Sequence, residues 1–249
     1  MEQEYSKIAP YYYYIGETRG HFKTQQSFLS EILKNNNRTA CVLDASCGTG
    51  DVINGLSKMH PFIEFYGSDI SKPLLNRAYN QPYLDADNIK LSDWDQISEI
   101  FSQNKMDIVY ILGNSIAHTN SIDKLEKIFF EVNKLLKTDG LFIFDVRPWY
   151  KNIKEESFNE PYKGKYIRIV NDEISFSYKT NYFYKNKRHH LQHIIKDKEE
   201  REIVINFSFL DVSEVILIDI LKENNFYNVK LVEDFDKYPF ITLLAKKCS

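Results

Sequence analysis

Short, predominantly apolar runs alternate with longer amphipathic stretches through the first 148 positions of the chain. Residues 41–45, 62–66, 107–112 and 141–145 have the length and composition of strands buried on both faces. Between them, residues 18–34, 72–79 and 121–137 repeat apolar side chains every three to four positions, which predicts helices. Ser71 is placed to cap the second of these helices, with Pro73 in its first turn. Thr138-Asp139-Gly140 is placed to end the third in a left-handed turn. This succession calls for an α/β fold, a doubly wound and mostly parallel sheet with right-handed crossovers.

After Pro148 the period shortens to two. Residues 164–184 and 189–209 alternate apolar and polar side chains, interrupted at Asn171-Asp172, Lys185-Asn186-Lys187 and Lys196-Asp197-Lys198, as antiparallel hairpins do. Ser213 then opens an amphipathic helix over 214–223, ended by Asn224-Asn225, and strands near 228–233 and 240–246 complete the main sheet. The antiparallel block is therefore an insertion before the last helix.

Composition narrows the class. At 249 residues, 43% of them hydrophobic, the chain can bury roughly three quarters of its extended surface around one core. A formal net charge of −3 offers no basic footprint for nucleic acid. Cys41, Cys47 and Cys248 form no CxxC pair, so neither a disulfide nor zinc is expected, and no ligand cluster calls for another metal. The chain opens Met-Glu-Gln-Glu without a basic region leading into an apolar run, and no 18-residue apolar segment occurs. The expectation is a cytoplasmic protein with no membrane partner.

The candidate chemistry begins where the first predicted strand ends, in Asp44-Ala45-Ser46-Cys47-Gly48-Thr49-Gly50-Asp51. Gly48 and Gly50 lack a Cβ, so the turn can adopt positive φ and bring backbone N–H groups close to a ligand. Asp69, at the tip of the next strand, can accept hydrogen bonds from both hydroxyls of a ribose, although Ser68-Asp69-Ile70-Ser71 would also suit a simple turn. A Walker loop needs Lys-Ser/Thr after its last glycine, and here Asp51-Val52 follows. A dinucleotide fingerprint needs a third glycine where Ile53 stands. Asp44 and Asp51 would repel a pyrophosphate, so a nucleoside cofactor without phosphate, S-adenosyl-L-methionine, fits better.

The segment DASCGTGD resembles motif I of class I S-adenosylmethionine-dependent methyltransferases. Tyr14-Ile15-Gly16-Glu17-Thr18-Arg19, Leu112-Gly113-Asn114-Ser115-Ile116-Ala117-His118 and Asp145-Val146-Arg147 resemble, in order and spacing, segments of the glycine (glycine/sarcosine) N-methyltransferase family. Weaker similarity continues near 162–195 and at Asp234-Phe235-Asp236-Lys237-Tyr238. The resemblance implies a Rossmann-like methyltransferase domain over 1–249. Residues 1–34 would form a lid and helix, 35–148 the cofactor-binding core, 149–210 an antiparallel cover for the substrate, and 211–249 the end of the sheet.

The expected cofactor contacts are Asp44, Ala45, Gly48, Gly50, Asp69, Ile70, Leu112, Ser115 and His118. Asp93-Trp94 resembles the family's adenine site, though Asp93 also suits a helix cap. Arg19 starts the region that the resemblance places over the cofactor. Where the glycine enzymes carry an arginine for the cofactor carboxylate, this chain has His21, which is only partly charged at neutral pH. Asn114 and Arg147 lie just past strand ends, where open α/β sheets bind ligands, and are the candidates for the acceptor, Arg147 through a bidentate carboxylate pair. Their structural alternatives are a buried turn amide for Asn114 and, for Arg147, an ion pair with Asp145 or with a carboxylate of the insertion. His118 has the alternatives of base and satisfied structural histidine. Among the tyrosines near the N-terminus Tyr14 is the candidate by motif position, with Tyr166 a second.

The implied reaction is in-line methyl transfer to a small amine, most simply glycine or sarcosine. The alternative is another small metabolite, such as an amino sugar or natural-product amine. A nucleic acid N-methyltransferase is disfavoured because Gly-Asn-Ser-Ile-Ala-His replaces the Asn/Asp-Pro-Pro-aromatic clamp. A regulator that kept the pocket is the non-enzymatic reading. The resemblance to oligomeric glycine enzymes raises a homo-oligomer as a partner state.

Overall fold

The computed structural model describes residues 2–34, 40–149, 162–234 and 236–248. The chain opens with helices α1 (Glu2–Thr18) and α2 (His21–Leu33), then strand β1 (Cys41–Asp44), α3 (Asp51–Met59), β2 (Glu64–Asp69), α4 (Lys72–Ala78) and β3 (Ile89–Leu91). The short α5 (Ile97–Ile100), β4 (Met106–Ile111), α6 (Ile122–Leu135) and β5 (Leu136–Val146) follow. Strands β6 (Tyr162–Lys163), β7 (Ile167–Val170), β8 (Ser175–Lys185), β9 (Arg188–Lys196) and β10 (Glu202–Leu210) precede α7 (Glu214–Glu223), β11 (Phe226–Val232) and β12 (Ile241–Lys247).

Seven strands form one sheet in the order β11-β12-β5-β4-β1-β2-β3. The five from β3 to β5 run parallel, while β12 is antiparallel to β5 and β11 to β12. Strand order reverses at β1, which pairs with both β2 and β4, so the ends of β1 and β4 flank the crevice where such sheets bind ligands. Successive side chains feed opposite layers. Val42, Ile108 and Ile143 pack with Leu29, Val52 and Leu56, whereas Leu43, Val109 and Phe142 pack with Ile128, Val132 and Leu217. A second, antiparallel sheet runs β10-β9-β8, with β6 and β7 both paired to β8. Its inner face, including Phe176, Ile195, Ile205 and Phe207, packs against Ile8 and Ile15 of α1.

Several local expectations need correction. The predicted helix over 18–34 begins at His21 and is preceded by a separate helix, α1. Gly20 divides them, because its φ of 68° places it in the left-handed region that ends one helix and starts the next. Helix α3 and the edge strand β3 had no predicted counterpart. At the end of α6 the left-handed residue is Asp139, at φ 60°, and it lies in an irregular start of β5 rather than in a helix cap. Ser71 stands at the start of α4 without a side-chain capping bond, whereas Ser213 Oγ accepts from Ile216 N. The β8–β9 turn is Asn186-Lys187, both with positive φ, as a tight two-residue hairpin requires. Residues 150–161 of the predicted insertion lie outside the described residues.

Candidate active site

The glycine loop closes onto Asp69. Asp69 Oδ2 accepts from Gly48 N at 2.9 Å and Oδ1 from Ser71 N at 2.8 Å. A carboxylate has about four lone-pair sites, so two remain for a diol. Burial pushes the carboxyl up to about 6, against the lowering effect of its backbone donors. Asp44, likewise buried, is pushed up to about 7 and accepts from Ser46 N at 3.0 Å. Gly48 has φ +52° and Gly50 φ +75°.

A Cβ on Gly50 would stand 3.0 Å from Ala78 Cβ and 3.1 Å from Ala78 Cα. Gly50→Ala is therefore expected to destabilise the fold by about 1–2 kcal/mol, since the left-handed conformation and the helix backbone resist together. A fall in melting temperature of at least about 3 °C would be its signature, and an unchanged melting curve would contradict it.

Beside this loop lies a recess with apolar walls and polar edges. Ala45, Asp69, Ile70, Asp93, Trp94, Ser115 and His118 line it. The Trp94 indole is buried and donates through Nε1 to Ala45 O. Asp93 serves as the cap of the turn that follows, accepting from Trp94 N at 2.7 Å, and its other oxygen meets Lys124 Nζ at 3.1 Å. Cap and recess edge are thus one residue. An adjoining cleft is lined by Asp44, Ser46, Cys47, Leu112, Gly113 and Ser115. Together they suit a nucleoside with a polar tail: Asp69 and Asp93 can take its polar edges, and Ile70 and Trp94 its flat faces.

Across Gly113-Asn114 the crevice opens into a cavity of about 460 Å³. Helix α1 supplies Tyr5, Ile8, Tyr12 and Ile15, the second sheet supplies Leu191, His193, Phe207 and Phe209, and Arg19, His21, Asn114, Arg147, Tyr238 and Phe240 complete much of the wall. Asp145 fixes the floor by accepting from Gly113 N, Asn114 N and the Tyr238 hydroxyl. Burial pushes its carboxyl up to about 6. Asn114, with φ 63°, holds Arg147 N through Oδ1 at 2.8 Å, while its buried Nδ2 has no partner among the described residues. The Arg147 guanidinium lies 5.3 Å over the Trp149 ring and 5.1 Å over Phe240. Its side chain makes no hydrogen bond or ion pair with a described residue, and Nε is buried.

The candidate residues thus divide between these spaces. Asp44, Ala45, Asp69, Ile70, Asp93, Trp94, Leu112, Ser115 and His118 line the two smaller ones beside Gly48 and Gly50. Asn114, Arg147, Arg19 and His21 line the large cavity, which His118 also reaches. Burial together with Arg19 and Arg147 pushes His21 down to about 4. His118 is half-buried, its Nε2 2.9 Å from the Tyr5 hydroxyl, and desolvation pushes it down to about 3, so it is neutral at pH 7. Tyr14 is not brought to any of these walls: its hydroxyl donates to Glu173 at 2.5 Å on an exposed face. Tyr166 meets Glu202, also outside. Tyr5, which borders all three spaces, and Tyr12 occupy the corresponding place. Their spacing with Ile8 and Ile15 is a helical stripe that could have singled them out.

Residues 42–140 match the family model described as methyltransferase domain. The chain is 30% identical over 127 residues to the glycine/sarcosine N-methyltransferase of Aphanothece halophytica, an alignment covering 50% of this chain and 46% of that protein. The chain spans about half the length of the curated relatives it matches.

Solved structures agree on the fold over almost the whole length. A crystal structure of an S-adenosylmethionine-dependent methyltransferase from Clostridium acetobutylicum ATCC 824 superposes with a TM-score of 0.72 at 20% identity, over 96% of this chain and 97% of the other. The sugar N-methyltransferase KedS8 from Streptoalloteichus sp ATCC 53650 gives 0.75 at 15% identity, over 95% and 92%. Among the described residues no helix is long and apolar enough to cross a membrane.

The two elevated carboxyls would make the binding of a cationic nucleoside at this loop depend on pH. A sulfonium cation and ribose hydroxyls both prefer ionised Asp69 and Asp44, so affinity should rise as pH increases through about 6 to 7. From pH 7.5 down to 5 the loss should be at least about tenfold, the share of Asp69 alone, measured by calorimetry with S-adenosylmethionine. A flat affinity over that range would contradict it.

Proposed function

We propose that the protein is an N-methyltransferase that moves the methyl group of S-adenosylmethionine to a small amine bearing an anionic group. The observation that carries this reading is the cavity beside the cofactor recess, where Arg147 and Asn114 Nδ2 hold unengaged donors. Asp69 and the Gly48 loop would hold the ribose, Asp93 and Trp94 the adenine, and Asp44 the end nearer the cleft. When bound, the cofactor supplies an electrophilic methyl on a sulfonium.

The chain's own residues then have little chemistry to perform. Arg147 and Asn114 would fix the acceptor's anionic end and thereby aim its nitrogen, and such alignment can supply most of the acceleration in a displacement with an activated leaving group. Tyr5, at the junction of the three spaces, would close the site, and its bond to neutral His118 holds it there. The apolar walls Phe207 and Phe209 exclude water and favour the neutral amine.

The glycine/sarcosine N-methyltransferase relative supports an amino acid acceptor. The volume supports something larger, because about 460 Å³ falls within the range of sites for compact metabolites, roughly 300–1,000 Å³, and glycine has only five heavy atoms. The structural likeness to a sugar N-methyltransferase favours the same direction. A methyl-transfer screen with labelled cofactor against glycine, sarcosine, dimethylglycine, other amino acids and amino sugars tests both. Turnover of an acidic amine is expected, and inactivity towards every amine with intact cofactor binding would overturn the reading.

A further inference from the structure

The large cavity carries more positive charge than one carboxylate needs. In a chain of net charge −3, its wall holds Arg19, Arg147 and Lys237 against the single carboxylate Asp236, with His21 and His193 beside them. Asp236 and Lys237 are exposed at the rim, and Lys237 is occupied with Asp234 at 3.3 Å. Arg19 is also partly open to solvent, so the charge left to the cavity comes from Arg147, largely withdrawn from water, and from Arg19, which borders both cavity and solvent.

Their surroundings hold them without neutralising them. Arg19 Nε donates to the Tyr178 hydroxyl at 2.5 Å and Nη2 reaches Thr180 Oγ1 at 3.5 Å, so its contacts are with uncharged hydroxyls. Thr180 Oγ1 also bonds His193 Nδ1 at 2.9 Å, which sets that ring beside Arg19 and leaves Nε2 without a partner among the described residues. Among the described residues the Arg147 guanidinium lies over two aromatic faces, and Asp145, near enough to favour its charge, is engaged with Gly113 N, Asn114 N and Tyr238. Unengaged donors thus come from Arg19 on one side, Arg147 and Asn114 on another and His193 from the second sheet. Neither Arg19 nor His21 borders the recess or cleft beside Gly48.

A planar carboxylate is satisfied by one arginine fork; donors from several directions with two fixed charges match a tetrahedral dianion. We propose that the acceptor amine carries a phosphate monoester, seated between Arg19 and Arg147 with Asn114 and His193 as further donors. The proposal rests on the acceptor reading of Arg147 given above, and it makes Arg19 and His193 determinants of acceptor specificity.

The test is calorimetric titration of the full chain, saturated with S-adenosylhomocysteine, using O-phosphoethanolamine and glucosamine 6-phosphate against ethanolamine, glucosamine, glycine and aspartate. Both phosphate probes should bind at least about tenfold more tightly than their uncharged counterparts and than glycine. Arg19→Gln should remove most of that margin while S-adenosylhomocysteine affinity stays within about twofold. Equal binding of glycine, tighter binding of aspartate, or no binding of either phosphate probe would overturn the proposal. So would an Arg19→Gln variant that loses S-adenosylhomocysteine and keeps the phosphate preference, since Arg19 would then serve the cofactor. Tight phosphate binding with no methyl transfer to any amine would retain the anion site and refute only the reaction proposed above.

Discussion

Asp69→Asn should weaken S-adenosylmethionine binding by roughly two orders of magnitude while the protein still folds. Two hydrogen bonds to an ionised acceptor contribute about 1.5–3 kcal/mol each, and the amide keeps only part of one, so a loss of about 2–3 kcal/mol follows. The geometry makes Asn a poor replacement despite its shape. Both Asp69 oxygens already accept backbone donors, from Gly48 and Ser71. An amide NH₂ in either place faces another N–H, so the glycine loop loses its tether as the ribose loses its acceptor. Folding should survive because the carboxylate is itself costly to bury, as its elevation to about 6 records. Calorimetry with the cofactor, alongside far-ultraviolet circular dichroism, measures both halves. A dissociation constant within about twofold of the parent would remove the ribose assignment.

The parallel core was legible because its signals are local. The apolar runs at 41–45 and 107–112 correspond to β1 and β4, and Gly48, Gly50 and Asp69 stand at the ends of β1 and β2, where Asp69 makes both the turn contact to Ser71 and the tether to Gly48. Ser213 and Asn225, the latter with φ 59°, punctuate α7 as their side chains favour. The weak signals were those that depend on packing. Helix α1 contains Pro10 and four consecutive tyrosines, residues of modest or poor helix propensity, and it is held by its contacts with the second sheet. Helix α3 has nine residues with Gly55 inside, where a Cβ would collide with the Gln26 side chain.

The same distinction explains the site. Asn114 and Arg147 were readable as strand-end residues, whereas the opposite wall comes from sequence positions more than forty residues away. Leu191 pairs with Phe207 and His193 with Ile205 in the β9–β10 ladder, and this register turns one alternating face towards Arg147. Alternation along 189–209 showed that one face is buried; it did not show what that face meets. Choosing Tyr14 by motif position overlooked the helical stripe of Tyr5, Ile8, Tyr12 and Ile15, since residues 2–18 carried no predicted helix.

Replacing Arg147 by Met should separate function from structure by moving activity and stability in opposite directions. The guanidinium is largely withdrawn from water, has no carboxylate within salt-bridge distance among the described residues, and sits between Trp149 and Phe240. The nearest carboxylate that favours its charge, Asp145, is engaged with Gly113 N, Asn114 N and Tyr238. A cation held this way costs the ligand-free fold something, so a thioether of similar length should leave the melting temperature unchanged or higher. The acceptor loses a charge-assisted fork of about 2–4 kcal/mol, and KM should rise roughly thirtyfold or more, with cofactor affinity unaffected. Arg147→Lys, which keeps the charge without the fork, should fall between. A structural ion pair at this position would give the reverse pattern, a lower melting temperature with KM unchanged, and thermal unfolding read beside steady-state kinetics distinguishes the two.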